Sequence, residues 1–432
     1  MRLFRPVSWP RPSLRRWPVV AWLAASLFGC SVTTLPDTTS DPTAGAGGTV
    51  SDTGGAGGAA AGAATTGGPG GGGAAAGGPP VGGSAGSGAG GNAGSGTGGA
   101  AGSGAGGGAS AGAGGAAPSV PLDPKLLSKC SGTKPIVCHL DAPDGNWDVT
   151  VELGSDSVAG SSRVAAETRH VYGDFRTTAV GAHELLDFTA NVRMEKHDGG
   201  QSAPSNVLDL TIDGSAPTLR GLGLRAAPNA ITLFVAGDST LCDWLGTNTS
   251  AVNDDETGWA QALAQYFGPG VAVANYADSG ETAGGFYGKF FPPARAALKA
   301  GDYLFVQFGH NDQKDATDIA NYKTNLMKYV TDARAKSATP VLFTPVSRSG
   351  GSDADPGFAG LDQQVRDLAA TEKVAYIDLT LLSRNYYKTV PDEKLLFADS
   401  GTHLSSLGAN AVAGLVAKAV KAGELPLKTF VR

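Results

Sequence analysis

The sequence predicts an α/β fold built on a parallel sheet, preceded by a small antiparallel β-sandwich. Three observations lead there. From residue 229 onward, short apolar runs alternate with helical patterns, the signature of a parallel sheet covered on both faces. Between residues 120 and 227, strand patterns with period-two alternation are separated by Gly-, Ser- and Asp-rich turns, which suits a sandwich. Third, the run ITLFVAGDST reads as a buried strand that ends in a tight turn and presents Ser239 at the carboxyl edge of a sheet, where open α/β folds place ligands.

The chain has 432 residues and 65 glycines, many of them in one stretch. Residues 1–30 read as a targeting segment: Arg2, Arg5, Arg11, Arg15 and Arg16 precede an apolar core at 19–28, too short for a permanent membrane span. Leu27, Phe28, Gly29 and Cys30 then resemble a bacterial lipobox, which implies cleavage before Cys30 and its lipidation. The alternative is an ordinary secretory signal. Ser31 in the next position does not match the pattern for retention at the inner membrane. These features make the expected location secreted or outer-membrane-anchored in a bacterium, with a membrane contact through an N-terminal lipid.

Residues 31–119 are almost entirely Gly, Ala, Ser and Thr in their central part, with no apolar periodicity. Such a segment buries too little surface to offset the entropy of ordering, so it is expected to be a disordered tether. A roughly 75-residue flexible chain has an r.m.s. span on the order of 50 Å. No strict three-residue glycine period of collagen type is present. The formal net charge of −6 argues against a nucleic-acid partner.

In an oxidising compartment the nine-residue segment CSGTKPIVC is expected to close into a Cys130–Cys138 disulfide. Cys242 reads as a small buried side chain, with a thiol nucleophile as the alternative. Strands are expected at 147–153, 162–172, 183–194 and 206–213. His139, His170, His183 and His197 lie singly along them. No metal-ligand spacing is seen, and no cofactor is implied.

For the domain spanning 228–432, strands are expected at 231–235, 271–275, 303–308, 340–344 and 374–378. Helices are expected at 258–267, 292–299, 319–335, 361–371 and 405–422. About 200 residues suffice for a core of their own. Serine hydrolysis needs a nucleophile, a base, an orienting carboxylate and oxyanion donors. Only His310 and His403 lie in this half. His403 stands before the last helix, with Asp399 four residues upstream, a spacing from which the carboxylate can fold back onto one ring nitrogen. His310 and Asn311, in QFGHND, follow a strand and also reach the carboxyl edge. The Asn311 amide is a candidate oxyanion donor.

In order, the chain shows GDST, NYADSGET, GHND and DSGTH. This succession resembles the four blocks of the SGNH (GDSL-type) hydrolases and covers about residues 229–425. The resemblance implies a flavodoxin-like three-layer α/β fold. It also implies Ser239 as nucleophile, His403 as base and Asp399 as its carboxylate. The backbone N–H groups of Ser239 and Gly280 and the Asn311 side chain would form the oxyanion hole. The usual aspartate position, three residues before the histidine, is held by Ser400, and Gly401 is expected to absorb the extra residue. Where the family carries Gly-Arg-Ser, this chain reads Gly280, Glu281, Thr282. Within the family, GWAQAL at 258–263 and TPVSR at 344–348 look most like rhamnogalacturonan acetylesterases. The implied activity is removal of O-acetyl groups from a plant cell-wall polysaccharide through an acyl-enzyme. Alternatives are an acetylxylan or lipase-like esterase, or a surface carbohydrate-binding protein with a decayed hydrolase domain.

Overall fold

The computed structural model describes residues 119–193, 196–197, 200–201, 206–245, 256–352 and 357–432. The targeting segment, the Gly/Ala-rich tether and Cys30 lie outside the described residues.

The first part of the described chain forms two antiparallel sheets. The larger pairs Ile136–Asp141 with Val207–Ala216, and that strand with Gly160–Ala166. The smaller runs Gly221–Ala226, Gly145–Gly154, His183–Val192. Along Val207–Ala216 the side chains alternate between buried and half-buried, as a sheet with one covered face requires. Leu140, Leu208, Leu210 and Ile212 of one sheet share a core with Val149, Val151, Phe188 and Leu222 of the other. Cys130 and Cys138 sit directly opposite each other on neighbouring strands and are joined by a disulfide.

Two expectations for this part need correction. The strand expected at 162–172 is interrupted: it ends at Ala166, Glu167 and Arg169 take left-handed backbone conformations, and pairing resumes at His170–Val171. The two longest of the strands not foreseen are Ile136–Asp141 and Gly221–Ala226; Cys130–Ser131 and Arg176–Thr178 are shorter ones. Ile136–Asp141 carries a Cys and a His within its apolar pattern, and Gly221–Ala226 is glycine-rich enough to read as a turn.

The second part is a five-stranded, all-parallel sheet. Its strands are β1 (Ile231–Gly237), β2 (Val271–Asn275), β3 (Tyr303–Gln307), β4 (Thr339–Phe343) and β5 (Ala375–Ile377). The spatial order is β2-β1-β3-β4-β5. That is the flavodoxin-like order, with its ligand crevice where the winding reverses, between β1 and β3.

β1 shows why the sheet has two covered faces. Leu233 and Val235 point into one core, while Phe234 and Ala236 point into another. Helices α1 (Ala283–Lys289), α2 (Phe291–Ala297), α3 (Ala316–Ala335) and α4 (Leu361–Glu372) cover the second face. They contribute Phe286, Phe291, Tyr322, Tyr329 and Val365. The first face is covered by α5 (Leu379–Tyr387) and α6 (Ser406–Ala422), through Leu379, Val412 and Val416. α3 illustrates the local cause. Asp315 caps it by accepting from the N–H groups of Thr317 and Asp318, worth about 1 kcal/mol. Tyr322, Leu326, Tyr329, Val330 and Ala333 then recur on its buried face at helical spacing.

The residues expected to form a helix at 258–267 do not. They form turns and one short 3-10 segment, Ala264–Tyr266. Tertiary bonds outcompete the helix: the Trp259 N–H donates to Thr240 O at 3.0 Å, and the buried Gln261 amide donates to Thr168 O and Trp244 O. Gly258 lies so close to Leu241 and Cys242 that a Cβ would meet their main-chain atoms at 2.3 Å. α1 was not anticipated because three of its seven residues are glycines, poor helix formers. It forms because Thr282 caps it and Phe286 is buried.

Candidate active site

β1 ends at Gly237, and the turn that follows is fixed from inside by Asp238. Its Oδ1 accepts from the Thr240 N–H (3.0 Å) and the Thr240 hydroxyl (2.7 Å). Its main-chain oxygen accepts from the N–H groups of Leu241 and Cys242. The turn holds Ser239 nearly buried, at 5 % exposure. Two further bonds brace it. Trp244 Nε1 donates to Ser239 O at 3.0 Å, and Gln307 Nε2 donates to Thr240 Oγ1 at 2.8 Å. Gln307 Oε1 in turn accepts from Trp259 Nε1 at 3.1 Å. The GWAQAL segment thus acts as a brace behind the Ser239 turn. Cys242 is buried, with its thiol directed at Ser239 O.

His403 reaches Ser239 from the loop before α6. Its Nε2 lies 2.9 Å from Ser239 Oγ, and its Nδ1 lies 2.8 Å from Asp399 Oδ2. The other Asp399 oxygen accepts from three successive N–H groups, those of Gly401 (2.8 Å), Thr402 (2.7 Å) and His403 (3.0 Å). Burial pushes the Asp399 carboxyl up, but the three N–H donors and the neighbouring imidazole outweigh it and hold the group below its ordinary range.

The five-residue stretch DSGTH therefore closes on itself, and Gly401 takes up the extra residue. Its φ of 128° disfavours any side chain, and a Cβ there would approach Ser349 Cβ to 2.6 Å. The following Ser405 caps α6 by accepting from Gly408 N at 3.2 Å, which anchors the loop.

Gly280 and Asn311 stand on the loops after β2 and β3, flanking the Ser239 turn at the same sheet edge. Asn311 Nδ2 donates to Glu281 O at 3.0 Å, and Lys314 Nζ donates to Asn311 Oδ1 at 2.7 Å, so the side chain is held and one amide N–H remains over. Among the described residues, the backbone N–H groups of Ser239 and Gly280 donate to no other group. Asp312 is buried. Its Oδ1 accepts from Ala283 N at 2.8 Å, and its Oδ2 has no partner among the described residues.

His310 is not at the reaction centre. It is buried against Phe358, with Nδ1 3.3 Å from Asp238 Oδ2 but no aligned hydrogen bond at either ring nitrogen among the described residues. Burial raises Asp238, yet the His310 charge and the Thr240 donors hold its carboxyl below the ordinary range. Of the histidines of the β region, His139 pairs with Asp209 and His183 with Asp156 at the surface. His170 is buried, its Nε2 2.9 Å from both oxygens of Asp243. No cluster of three or more His, Cys, Asp or Glu suited to a metal exists among the described residues.

Reading the sequence did not single out Trp244 or Glu256. The edge of the Trp244 indole lies against His403, with ring centroids 5.7 Å apart. Glu256 Oε1 lies 3.5 Å from His403 Nδ1. The only local signal was that each flanks a singled-out motif, Trp244 just after GDST and Glu256 just before GWAQAL.

A hydroxyl, an imidazole and a carboxylate bonded in series, at the carboxyl edge of a parallel sheet, define the arrangement of a serine ester hydrolase. The sequence agrees. Residues 235–411 match the GDSL-like lipase/acylhydrolase family, and the chain belongs to it as a carboxylic ester hydrolase. Over 220 residues it is 32% identical to rhamnogalacturonan acetylesterase RhgT of Bacillus subtilis (strain 168), an alignment spanning 46% of this chain and 93% of that protein. It is 29% identical over 299 residues to the uncharacterized esterase YxiM of the same organism, spanning 66% of this chain and 73% of the relative. The crystal structure of the B. subtilis protein YxiM aligns with a TM-score of 0.42 at 26% identity, over 66% of this chain and 80% of that one.

Proposed function

We propose that this esterase removes O-acetyl groups from an acetylated plant cell-wall polysaccharide, rhamnogalacturonan first among them, through an acyl-enzyme on Ser239. The observation that carries the chemistry is the continuous hydrogen-bond chain from Ser239 Oγ through His403 to Asp399. Ser239 Oγ attacks the acetyl carbonyl carbon while His403 Nε2 takes its proton. The tetrahedral oxyanion is received by the N–H groups of Ser239 and Gly280 and by the Asn311 amide. The carbon–oxygen bond to the sugar then breaks, and His403 returns the proton to the sugar oxygen. Water attacks the acetyl-serine by the same base, which releases acetate and restores the hydroxyl.

The choice of substrate is supported by similarity to RhgT, whose name states a rhamnogalacturonan acetylesterase. An aligned triad speaks against a decayed domain that only binds carbohydrate. The two antiparallel sheets, residues 120–227, are proposed to be a β-sandwich module ahead of the hydrolase domain, 228–432. The basic and apolar start of the chain and the Leu27–Cys30 sequence support export, with Cys30 as a lipidated first residue and residues 31–119 as its tether.

Acetate release tests the activity. Wild type should release acetate from acetylated rhamnogalacturonan faster than from acetylxylan, and should turn over p-nitrophenyl acetate faster than long-chain esters. Ser239→Ala should lower all of these by roughly 10⁴-fold or more with little change in melting temperature. Preference for acetylxylan or for long acyl chains would reassign the substrate, and an active Ser239→Ala enzyme would reassign the nucleophile. Intact mass of membrane-fraction protein tests the anchor: a first residue other than Cys30, without acyl mass, would leave a protein exported without lipid.

A further inference from the structure

The His403 imidazole faces more than one carboxylate. Its Nδ1 lies 2.8 Å from Asp399 Oδ2 and 3.5 Å from Glu256 Oε1. Both acids are about one-third exposed. They come from separate segments of the chain. Asp399 belongs to the same loop as His403, whereas Glu256 is 147 residues upstream, on the segment that braces the Ser239 turn.

The position of Glu256 is fixed through its main chain. Glu256 and Ser405 form an antiparallel bridge. The next residue continues the seam: Thr257 N donates to Leu404 O at 3.0 Å, and the Thr257 and Ser406 hydroxyls lie 2.9 Å apart. The Glu256 segment is thereby stitched to the residues that immediately follow His403. From the other side comes Arg169, on the left-handed turn of the antiparallel region. Its guanidinium donates to Glu256 O (3.3 Å), Trp244 O (3.2 Å) and Thr257 Oγ1 (3.4 Å). One arginine therefore ties the antiparallel sheets to the segments that carry both neighbours of the His403 ring.

We infer that Glu256 is a second carboxylate partner of His403, a positioning residue that steadies the imidazole beside Asp399. The inference rests on the serine-esterase reading of Ser239 and His403. When Nε2 takes the Ser239 proton, the ring gains a positive charge that Nδ1–H shares. Two carboxylates then face that charge, one hydrogen-bonded and one within Coulomb range. The four-residue spacing from Asp399 to His403 gives this arrangement a use: the acid comes from a longer loop, and Glu256 limits how far the ring can turn. The ties of Glu256 to Arg169 and Ser405 are made by the backbone.

The test is a double-mutant cycle on the full chain with p-nitrophenyl acetate, melting temperature being followed for each variant. Glu256→Gln alone should lower kcat about 3–10-fold with KM within about twofold, as for a group that acts in the transition state and touches no substrate. Asp399→Ala alone should lower kcat roughly 10²–10³-fold, less than the ~10⁴ seen when tautomer control is lost outright. In the Asp399→Ala background Glu256→Gln should cost at least about 30-fold, because the sole remaining carboxylate is then removed. Glu256→Asp should keep more than half of wild-type kcat. Should Asp399→Ala fail to fold, Asp399→Asn serves as the background. Equal factors in both backgrounds, or a loss confined to KM, would overturn the role of Glu256. Undiminished turnover by Ser239→Ala would instead overturn the serine-esterase reading beneath it.

Discussion

Two histidine–aspartate pairs in this molecule have nearly the same bond length and opposite surroundings. His403 and Asp399 meet at 2.8 Å, and their side chains are 28 % and 31 % exposed. His170 and Asp243 meet at 2.9 Å, and theirs are 3 % and 1 % exposed. Around Asp243 little hydrogen-bonding capacity is left over. It also pairs with Arg193 at 3.1 Å and accepts from Asn275 Nδ2 at 2.7 Å. Burial raises its carboxyl, and the His170 and Arg193 charges with the Asn275 amide bring it back below the ordinary range. Around His403 one ring nitrogen is aimed at the Ser239 hydroxyl, while the imidazole itself stays partly exposed. The lesson concerns availability. A buried pair braced by Arg193 and Asn275 fixes the junction between the antiparallel sheets and the parallel one. A partly exposed pair with one nitrogen on a serine can exchange a proton.

The comparison breaks most sharply when each carboxylate is removed in turn. Asp399→Ala should lose roughly 10²–10³ in kcat with a small change in melting temperature. Asp243→Ala leaves His170 and Arg193 buried without their acid and should cost about 3–5 kcal/mol of stability. In protein that remains folded, its kcat should fall less than about tenfold, because Asp243 bonds to His170, Arg193 and Asn275 rather than to Ser239 or His403. Denaturant melts with parallel kinetics decide the matter. An Asp243→Ala enzyme that is stable but inactive would make the buried pair part of the chemistry.

Asn311 sharpens the same contrast on the oxyanion side. Its side chain is held by bonds to Glu281 O and Lys314, yet one amide N–H remains uncommitted. Asn311→Ala should lower kcat by about 10²–10³ with KM nearly unchanged, the signature of a donor used only in the transition state. A rise in KM alone would place Asn311 in ground-state binding.

How much of this was legible in the chain follows from the range of the interactions. β1 to β5 were readable because a parallel strand buried on both faces is a continuous apolar run bounded by turns. The Ser239, Asn311 and His403 segments stood out because each follows a strand or precedes a capped helix, where local sequence sets the position. The helix expected at 258–267 was lost to bonds with Thr240, Thr168 and Trp244, all remote in sequence. The approach of Glu256 to His403 and of Arg169 to Glu256 was invisible for the same reason: no local period encodes a contact across 147 or 87 residues.

The smallest expected effect comes from a carboxylate that has no histidine. Asp238, Asp243 and Asp399 each face an imidazole, and each is held below the ordinary range. Asp312 lies one residue after Asn311 and faces none. Burial pushes its carboxyl up to about 7, the Ala283 N–H opposes this, and the charge of Asp238 adds to it. The folded protein therefore holds a proton on Asp312 that the unfolded chain releases near its ordinary value. By linkage, the resulting stabilisation is complete at acidic pH and is lost as pH rises from about 4 through 7. Asn in this place keeps an oxygen for the Ala283 N–H and does not titrate. Asp312→Asn should thus flatten the fall in stability between pH 5 and pH 8. By pH 8 it should recover on the order of 1–2 kcal/mol relative to its position at pH 5, after allowance for water and side-chain relaxation around the buried charge. Melting temperatures of both proteins across that range give the answer. Parallel curves would mean that Asp312 is ionised throughout and that its burial is offset by the groups around it.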